Sequence, residues 1–363
     1  MRHIFLIIAW LIGWLLFKNI NFLRSKQLEG DEEFSISVII PARNEEHNIR
    51  KVLGTLEAQT YKPKEIIVVN DNSTDKTELI AVSYKNISVV SLEKDPPPGW
   101  IGKPWACWNG YLKSTGDLLL FLDADVELSP KALESLLTEY ISNGGMISVW
   151  PYQRFERFYE HFTLPFNLIA VSSTNSFSIN KRNNPINKRN NPTGAFGPVI
   201  LTSRKDYEEL GGHQSVKDEV VEDLKLGKIY LEKGKNVTNF LGGEIIKFRM
   251  YPNGIRQLFE GLTKNMVSGA IHTGIINFLL IFLWFTGIYS SFISPQSRLS
   301  HLTYYLLFVF QIYKLIRKTG DYNFLDALIY PAHFSFFLFI FLTSLVKTKI
   351  FKSVIWKGRR IDV

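Results

Sequence analysis

Asp123, Ala124 and Asp125 follow the apolar run LLLFL at residues 118 to 122. Two carboxylates held side by side with no basic neighbour in sequence repel one another unless a cation joins them. A hard divalent cation, Mg2+ or Mn2+, shared with diphosphate oxygens answers that need. An isolated D-x-D also arises by chance as a pair of solvated turn acids, so the triplet gains weight only from its context. A second pair, Glu222-Asp223, offers a general base. Val220, Leu224 and Leu231 fall near one helical face with Lys225 beside the acids, so spacing alone leaves a charged helix surface equally open. Trp100, Trp105 and Trp108 offer an aromatic floor for sugar or lipid, against ordinary packing at a strand-helix junction. His213, after Gly211-Gly212, offers a diphosphate contact, against a buried or turn-stabilising histidine.

Something must hold these residues together, and from residue 34 the pattern supplies it. Apolar runs SVIIPA, EIIVVND, ISVVSL and DLLLFLDAD alternate with helix-like polar stretches. Continuous rather than alternating apolar runs are the mark of parallel strands buried on both faces, so the class is α/β. In such a sheet ligands sit beyond the carboxyl ends of strands, where Arg43-Asn44-Glu45, Asn70-Asp71 and Asp123-Ala124-Asp125 all fall. VIIPARNEE carries no glycine-rich dinucleotide fingerprint, and a P-loop is missing, so metal and side chains must hold the phosphates.

The apolar residues are spread unevenly over the 363, which predicts one soluble domain plus membrane segments. Ile4 to Phe17, extending to about residue 23, reads as an uncleaved anchor, since no small-x-small cleavage site follows. Lys18, Arg24 and Lys26 outweigh Arg2 and place the following domain on the cytoplasmic side of the cell membrane. Three further candidate spans cover residues 269–293, 300–316 and 326–346, the middle one containing Gln311 and Lys314. Three full crossings would put the basic tail outside, so one segment is expected to be re-entrant or interfacial. The expected organisation is an anchor at 1–26, a catalytic domain at 34–265, membrane helices at 269–346 and a basic tail at 347–363. The formal charge of +8 gathers beside apolar runs, as in KTKIFKSVIWKGRR, which points to membrane lipids with anionic headgroups and not to nucleic acid. The single cysteine, Cys107, excludes an intrachain disulfide and reads as packing.

Two stretches have amphipathic helical spacing, Phe155 to Ile169 and Ile255 to Met266. Each fits a helix along the membrane or one packed on the protein's own core. Residues 180–192, NKRNNPINKRNNP, repeat a six-residue word at a period of seven; their prolines and asparagines predict a surface loop, best read as a neutral duplication.

In order and spacing, VIIPARNEEHNI, EIIVVNDNSTD, GWIGKPWACWNG, FLDADV and EVVEDLKLG resemble the family 2 inverting glycosyltransferases over residues 36–265. GWIGKPWACWNG, AFGPVILTSRKDYEELGGH, RMYPNG and the terminal WKGRR are similar to the branch that glucosylates carotenoid acids in staphyloxanthin-type pathways. The resemblance implies a GT-A fold, that is, a Rossmann-like, mostly parallel sheet, with transmembrane helices added. It implies a UDP-sugar donor, UDP-glucose in this branch, a Mg2+ or Mn2+ cofactor, and a lipophilic acceptor, the carboxylate of a C30 apo-carotenoid (4,4'-diaponeurosporenoate). Other carotenoid-pathway enzymes are then candidate partners. By position, Pro41, Ala42 and Glu45 would line the nucleoside pocket, Asp71 would read the uracil and Lys103 would lie near the nucleotide. Asp123 and Asp125 would form the D-x-D pair, with Asp125 the direct metal ligand, and Asp223, beside Glu222, would be the base. Many processive members carry Q-x-x-R-W where this chain reads EGLTKN, so Lys264 stands in for the arginine and polysaccharide synthesis is disfavoured. Phe196-Gly197-Pro198 stands where relatives often have G-Q-F, which leaves the acceptor contacts open.

The implied reaction is a single displacement that inverts the anomeric centre. The rival within enzymes is transfer to another lipid: a sphingoid, a hopanoid or a polyprenyl phosphate. An inactive scaffold would be expected to lose the carboxylates kept here, and a transporter would need more ionisable residues within a larger bundle.

Overall fold

The computed structural model describes residues 1–28, 33–178, 192–293 and 297–362. The NKRNNP duplication lies outside the described residues except for Pro192. The strands, in chain order, are β1 (Ile36–Ala42), β2 (Glu65–Asn70), β3 (Ile87–Ser91), β4 (Leu118–Leu122), β5 (Val126–Leu128), β6 (Met146–Trp150) and β7 (Tyr152–Gln153). They continue with β8 (Val199–Ser203), β9 (Val237–Leu241), β10 (Ile246–Phe248), β11 (Ser353–Trp356) and β12 (Arg359–Asp362). Seven of them form one sheet in the order β3-β2-β1-β4-β8-β6-β9, parallel except at β8, which runs against both β4 and β6.

The continuous apolar runs are buried on two faces, as their composition requires. Val38, Ile40, Leu118, Leu120 and Leu122 enter one core with α2 (Ile49–Glu57). Ile39, Leu119 and Phe121 enter the other, with Ala106 and Cys107 of α4 (Gly102–Lys113). Between them along the chain lies α3 (Thr77–Val82), and α5 (Ala132–Asn143), α6 (Leu164–Ser173), α7 (Arg204–Glu209) and α8 (Glu222–Glu232) follow. A small sheet, β5-β10-β7, begins directly after Asp125.

Beyond the sheet come α9 (Ile255–His272), α10 (Ile275–Ile293), α11 (Arg298–Ile316), the short α12 (Phe324–Leu328) and α13 (Tyr330–Val346). Among the described residues three helical segments, 275–293, 299–316 and 330–351, are long and apolar enough to cross a membrane. The N-terminal helix α1 (Arg2–Leu16) has 15 residues, about 22 Å at 1.5 Å per residue, short of a ~30 Å hydrocarbon layer. The expected anchor is thus shortened. Residues 18–26 belong to the sheet domain: the Leu23 amide donates to the Leu241 carbonyl at 2.8 Å, and Lys26 pairs with Glu139 at 2.7 Å. Gln311, an oddity in the middle apolar segment, is buried. Its carbonyl accepts from Trp284 Nε1 at 2.9 Å and its amide donates to the Trp10 carbonyl at 2.5 Å, joining α1, α10 and α11.

Of the two amphipathic stretches, the first breaks into a 3₁₀ turn at Phe158–Thr163 followed by α6, with Phe155 packed on His161 and Tyr322. The second is α9, whose Leu258, Leu262 and Met266 are buried in a cluster with Ile340 of α13. Both use most of their apolar faces for internal packing, while Phe158 and Ile255 stay exposed. From Ser353 on, the basic tail departs from the lipid-facing expectation, while Lys349 to Lys352 before it stay exposed. β11 and β12 pair as a hairpin, and Lys357 and Gly358 at its turn have φ of 47° and 77°, the backbone of a two-residue type I′ turn.

At the crossing of α1 and α10, a Cβ built on Gly287 would lie 2.2 Å from Ala9 Cβ. Gly287→Leu should therefore force the helices apart at a cost of about 1–3 kcal/mol. Thermal unfolding of the detergent-solubilised protein should show a lower midpoint, partly restored by adding Ala9→Gly.

Candidate active site

β1, β2 and β4 are adjacent and parallel, so their carboxyl ends open side by side. The Asp71 amide donates to the Ala42 carbonyl at 2.8 Å, and Asp123 N to the Pro198 carbonyl at 2.9 Å. Arg43 straps the first two strand ends, its Nη1 donating to the Asp71 and Asn72 carbonyls at 2.7 and 3.0 Å. One cavity of about 600 Å³ results, and Pro41, Ala42, Glu45, Asp71, Lys103, Asp123, Asp125, Glu222 and Asp223 all line it. These nine residues are thus brought to one place.

Sequence gave Asp123 no basic neighbour, but space does. Lys103, on the first turn of α4, places Nζ 2.8 Å from Asp123 Oδ1 and 3.1 Å from Glu222 Oε1. Burial works against the Lys103 ammonium, but Asp123, Glu222 and Asp223 together hold its pKa well above the usual value. Glu222 is buried at 5 % exposure, so the charged-surface reading of Glu222-Asp223 fails. Asp223, beside it in the first turn of α8, has its pKa raised to about 7 by burial and by the Glu222 charge, against the pull of Lys103.

Asp125 is different. Among the described residues no side chain hydrogen-bonds or ion-pairs with its carboxylate, and burial, Asp123 and Glu45 push its pKa well up. A lone carboxylate of this kind, next to a second one, fits a divalent cation. No group of three or more His, Cys, Asp or Glu side chains forms a complete metal cage among the described residues.

The C-terminal hairpin completes the polar end of the cavity, and sequence reasoning missed it. Arg359 grips Asp71 with two nitrogens at 2.8 and 3.2 Å and reaches Asp95 at 2.7 Å. Lys357 ion-pairs with Glu45 and donates to the Arg43 carbonyl at 2.7 Å. Trp356 meets Tyr251 edge-on. The available signal was the β-branched and aromatic run VIW followed by the two-residue turn pair Lys357-Gly358, a hairpin pattern that the basic charge obscured.

The model of the family described as "Glycosyl transferase family 2" matches residues 37–211. Over 362 residues, 97% of this chain and 94% of the relative, the sequence is 35% identical to "4,4'-diaponeurosporenoate glycosyltransferase" of Staphylococcus aureus strain MRSA252. The protein of the same name from strain bovine RF122 / ET3-1 is 35% identical over the same shares. The chain belongs to glycosyltransferase family 2. The mannosyltransferase PcManGT of Pyrobaculum calidifontis, solved in complex with GDP-Man and Mn2+, has the same fold at a TM-score of 0.56 and 15% identity. The match covers 97% of this chain and all of that one. The sheet is accordingly that of the GT-A fold.

In this family 2 glycosyltransferase the cavity continues past the carboxylates into an apolar throat. Phe166, Ile169 and Ala170 of α6, Phe278, Ile281, Phe282 and Phe285 of α10, and Phe337, Leu338 and Phe341 of α13 line it. Phe278, Phe282 and Leu338 of this lining are 38–58% exposed, so the apolar end of the cavity is not sealed. The three tryptophans of the GWIGKPWACWNG stretch do not line the cavity. They pack on one another edge-on or tilted and, through Trp108, against Tyr111 and Tyr207, so the packing reading holds. His213 is also buried, its ring 2.8 Å from the Tyr207 hydroxyl, and burial drives its pKa down to about 3. Neutral and enclosed, it makes no contact with the cavity.

Phe196, Gly197 and Pro198 form the wall opposite Asp223. A Cβ on Gly197 would lie 2.6 Å from Asp223 Oδ2. Gly197→Ala should therefore displace that carboxylate and lower turnover by roughly 10²-fold with a hydroxyl acceptor, whose proton Asp223 would take, as ångström-scale misplacement of a reacting group does, while nucleotide binding measured by titration calorimetry stays within about twofold of wild type.

Proposed function

We propose that the enzyme transfers glucose from UDP-glucose, with inversion, to the carboxylate of a C30 apo-carotenoid such as 4,4'-diaponeurosporenoate. The observation that carries this reading is the single cavity joining a carboxylate cluster at the strand ends to an apolar throat lined by α6, α10 and α13. The name of the 35% identical relatives supports the acceptor. The polar end, with Asp71, Glu45 and the cations Arg43, Lys357 and Arg359, suits a nucleoside diphosphate.

In this reading Asp125, with Asp123, would hold Mg2+ or Mn2+, which when bound neutralises charge on the departing diphosphate. Lys103 keeps Asp123 and Glu222 compensated and in place. The acceptor oxygen attacks the anomeric carbon from the face opposite the diphosphate. The new C–O bond forms as the old one breaks, and its electron pair leaves with UDP. A carboxylate acceptor is already ionised near neutral pH, so no proton need move. With a pKa of about 7, Asp223 is partly protonated there and tolerates a carboxylate neighbour.

The docked tail also bears on membrane topology. α10 starts on the catalytic domain, where Asn277 Nδ2 donates to the Ser172 and Ser173 carbonyls at 2.7 and 3.1 Å. The chain after α11 returns to that domain, where Gly320 bridges to Gln153. From there it runs through α13 to a hairpin that lies against Glu45 and Asp71, so the number of full crossings between α9 and the tail must be even. We infer that α10 and α11 cross as a pair and that the α12–α13 segment dips in and returns. The catalytic domain and tail then share the cytoplasmic face.

Membranes containing the protein, incubated with labelled UDP-glucose or GDP-mannose and with the apo-carotenoid acid, its alcohol or a polyprenyl phosphate, should transfer glucose from UDP-glucose to the acid. Transfer to none of them with metal supplied would refute the proposal, and transfer only to another lipid would favour the rival acceptor. Where the alcohol is used, Asp223 must be ionised to accept its proton, so kcat/KM should fall as pH drops through about 7. Asp223→Asn should lower alcohol transfer by at least about 10²-fold and acid transfer much less. Equal losses would show that Asp223 does not act as a base on the acceptor.

A further inference from the structure

The reaction as described leaves one cavity cation without a task. Lys103 is held by Asp123 and Glu222, Lys357 by Glu45 and Arg359 by Asp71, while Arg43 is taken up by the Asp71 and Asn72 carbonyls. Lys264 also lines the cavity, yet among the described residues no carboxylate lies within ion-pair distance of its ammonium group. Its Nζ sits 5.6 Å from the centroid of the Trp356 ring. Burial lowers its pKa, with Glu222 the main charge acting the other way.

The position of Lys264 suggests its ligand. It stands on α9 between Gly261, which packs against Tyr251 and Trp356, and the cavity-lining Met266 and Gly269 farther along the helix. α9 is fixed there by Ser344 of α13, whose hydroxyl donates to the Thr263 carbonyl at 2.6 Å. Lys264 therefore enters the cavity from the helix that leads toward the membrane segments, and Glu222 lines the same cavity. Beside Trp356 of the hairpin, Lys264 stands between the polar end and the throat. An anionic acceptor head arriving from the throat meets Asp223 and the Lys103-bound Glu222, and would be repelled unless a cation awaited it.

We propose that the Lys264 ammonium binds the carboxylate of the acceptor at the inner end of the throat and selects acids over alcohols. This rests on the acid-acceptor reading given above. One carboxylate oxygen is held by Nζ and the other is free to form the ester bond to the anomeric carbon, as the bond to the diphosphate oxygen breaks and UDP leaves with its electrons. No proton or co-reactant is needed. A lysine suits the task because its point charge neutralises the head without the two-pronged grip that would occupy both oxygens.

The test compares full-length wild type, Lys264→Met and Lys264→Arg in membranes, with the apo-carotenoid acid and the matching primary alcohol as acceptors. KM is measured for each acceptor and for UDP-glucose. Acceptor binding is read separately from quenching of tryptophan emission by the polyene. Loss of one charge-assisted contact should raise the KM and the quenching midpoint for the acid about tenfold or more in Lys264→Met. The alcohol and UDP-glucose values should change far less, and Lys264→Arg should recover most of the acid binding. Equal loss with acid and alcohol, or a matching rise in KM for UDP-glucose, would overturn the proposal and give Lys264 a donor-binding or structural role. If wild type transfers to the acid and Lys264→Met binds it unchanged, this assignment alone fails. If wild type neither binds nor uses the acid, the acceptor reading fails and takes this assignment with it.

Discussion

Carboxylates crowded into a cavity out of bulk water destabilise a fold unless opposite charges meet them there, and much of this molecule is arranged around that requirement. Asp123 and Glu222 come from a strand end and a helix start 99 residues apart in sequence, yet both close on Lys103. Glu45 and Asp71, at the ends of β1 and β2, are met by Lys357 and Arg359 from the far end of the chain. Compensation stops at Asp125 and Asp223. Both keep raised pKa values, and both are where the chemistry calls for a partner that arrives with the substrates.

The same arrangement joins the soluble and membrane parts. α6 lies between the sheet and the long helices, and its end accepts hydrogen bonds from Asn277 at the start of α10. α9 carries Lys264 into the cavity and is bonded through Thr263 to α13. The apolar throat is therefore built from the helices that flank the carboxylates. The C-terminal hairpin closes the opposite, nucleotide-facing side. This explains why a short basic tail folds back on the sheet domain instead of lying on the membrane.

The sheet and most of the site were legible in the sequence. Buried parallel strands leave continuous apolar runs, and polar residues directly after such runs must lie at strand ends, which located Glu45, Asp71, Asp123 and Asp125. Relations between distant segments left no such trace. Nothing around Lys103 in sequence indicates that it bridges Asp123 and Glu222. The tail was misread because charge beside an apolar run describes both a lipid-facing segment and a hairpin whose cations turn inward; only its docking on Glu45 and Asp71 separates them. The N-terminal anchor was drawn too long for a related reason. Phe22 and Leu23 are as apolar as the residues of α1, but Leu23 spends that character on a sheet edge, with its amide on the Leu241 carbonyl. Apolar composition measures burial, and it does not say in what.

The central claim is that Asp125 and Asp123 engage a divalent cation together with a nucleoside diphosphate, at the threshold of the lipid-facing throat. Mn2+ binding followed by electron paramagnetic resonance, with and without UDP, tests it in wild type and in Asp125→Asn. The account predicts that UDP tightens Mn2+ binding to the wild type and that Asp125→Asn abolishes this coupling. UDP binding of equal strength with metal, with chelator and in Asp125→Asn would contradict it.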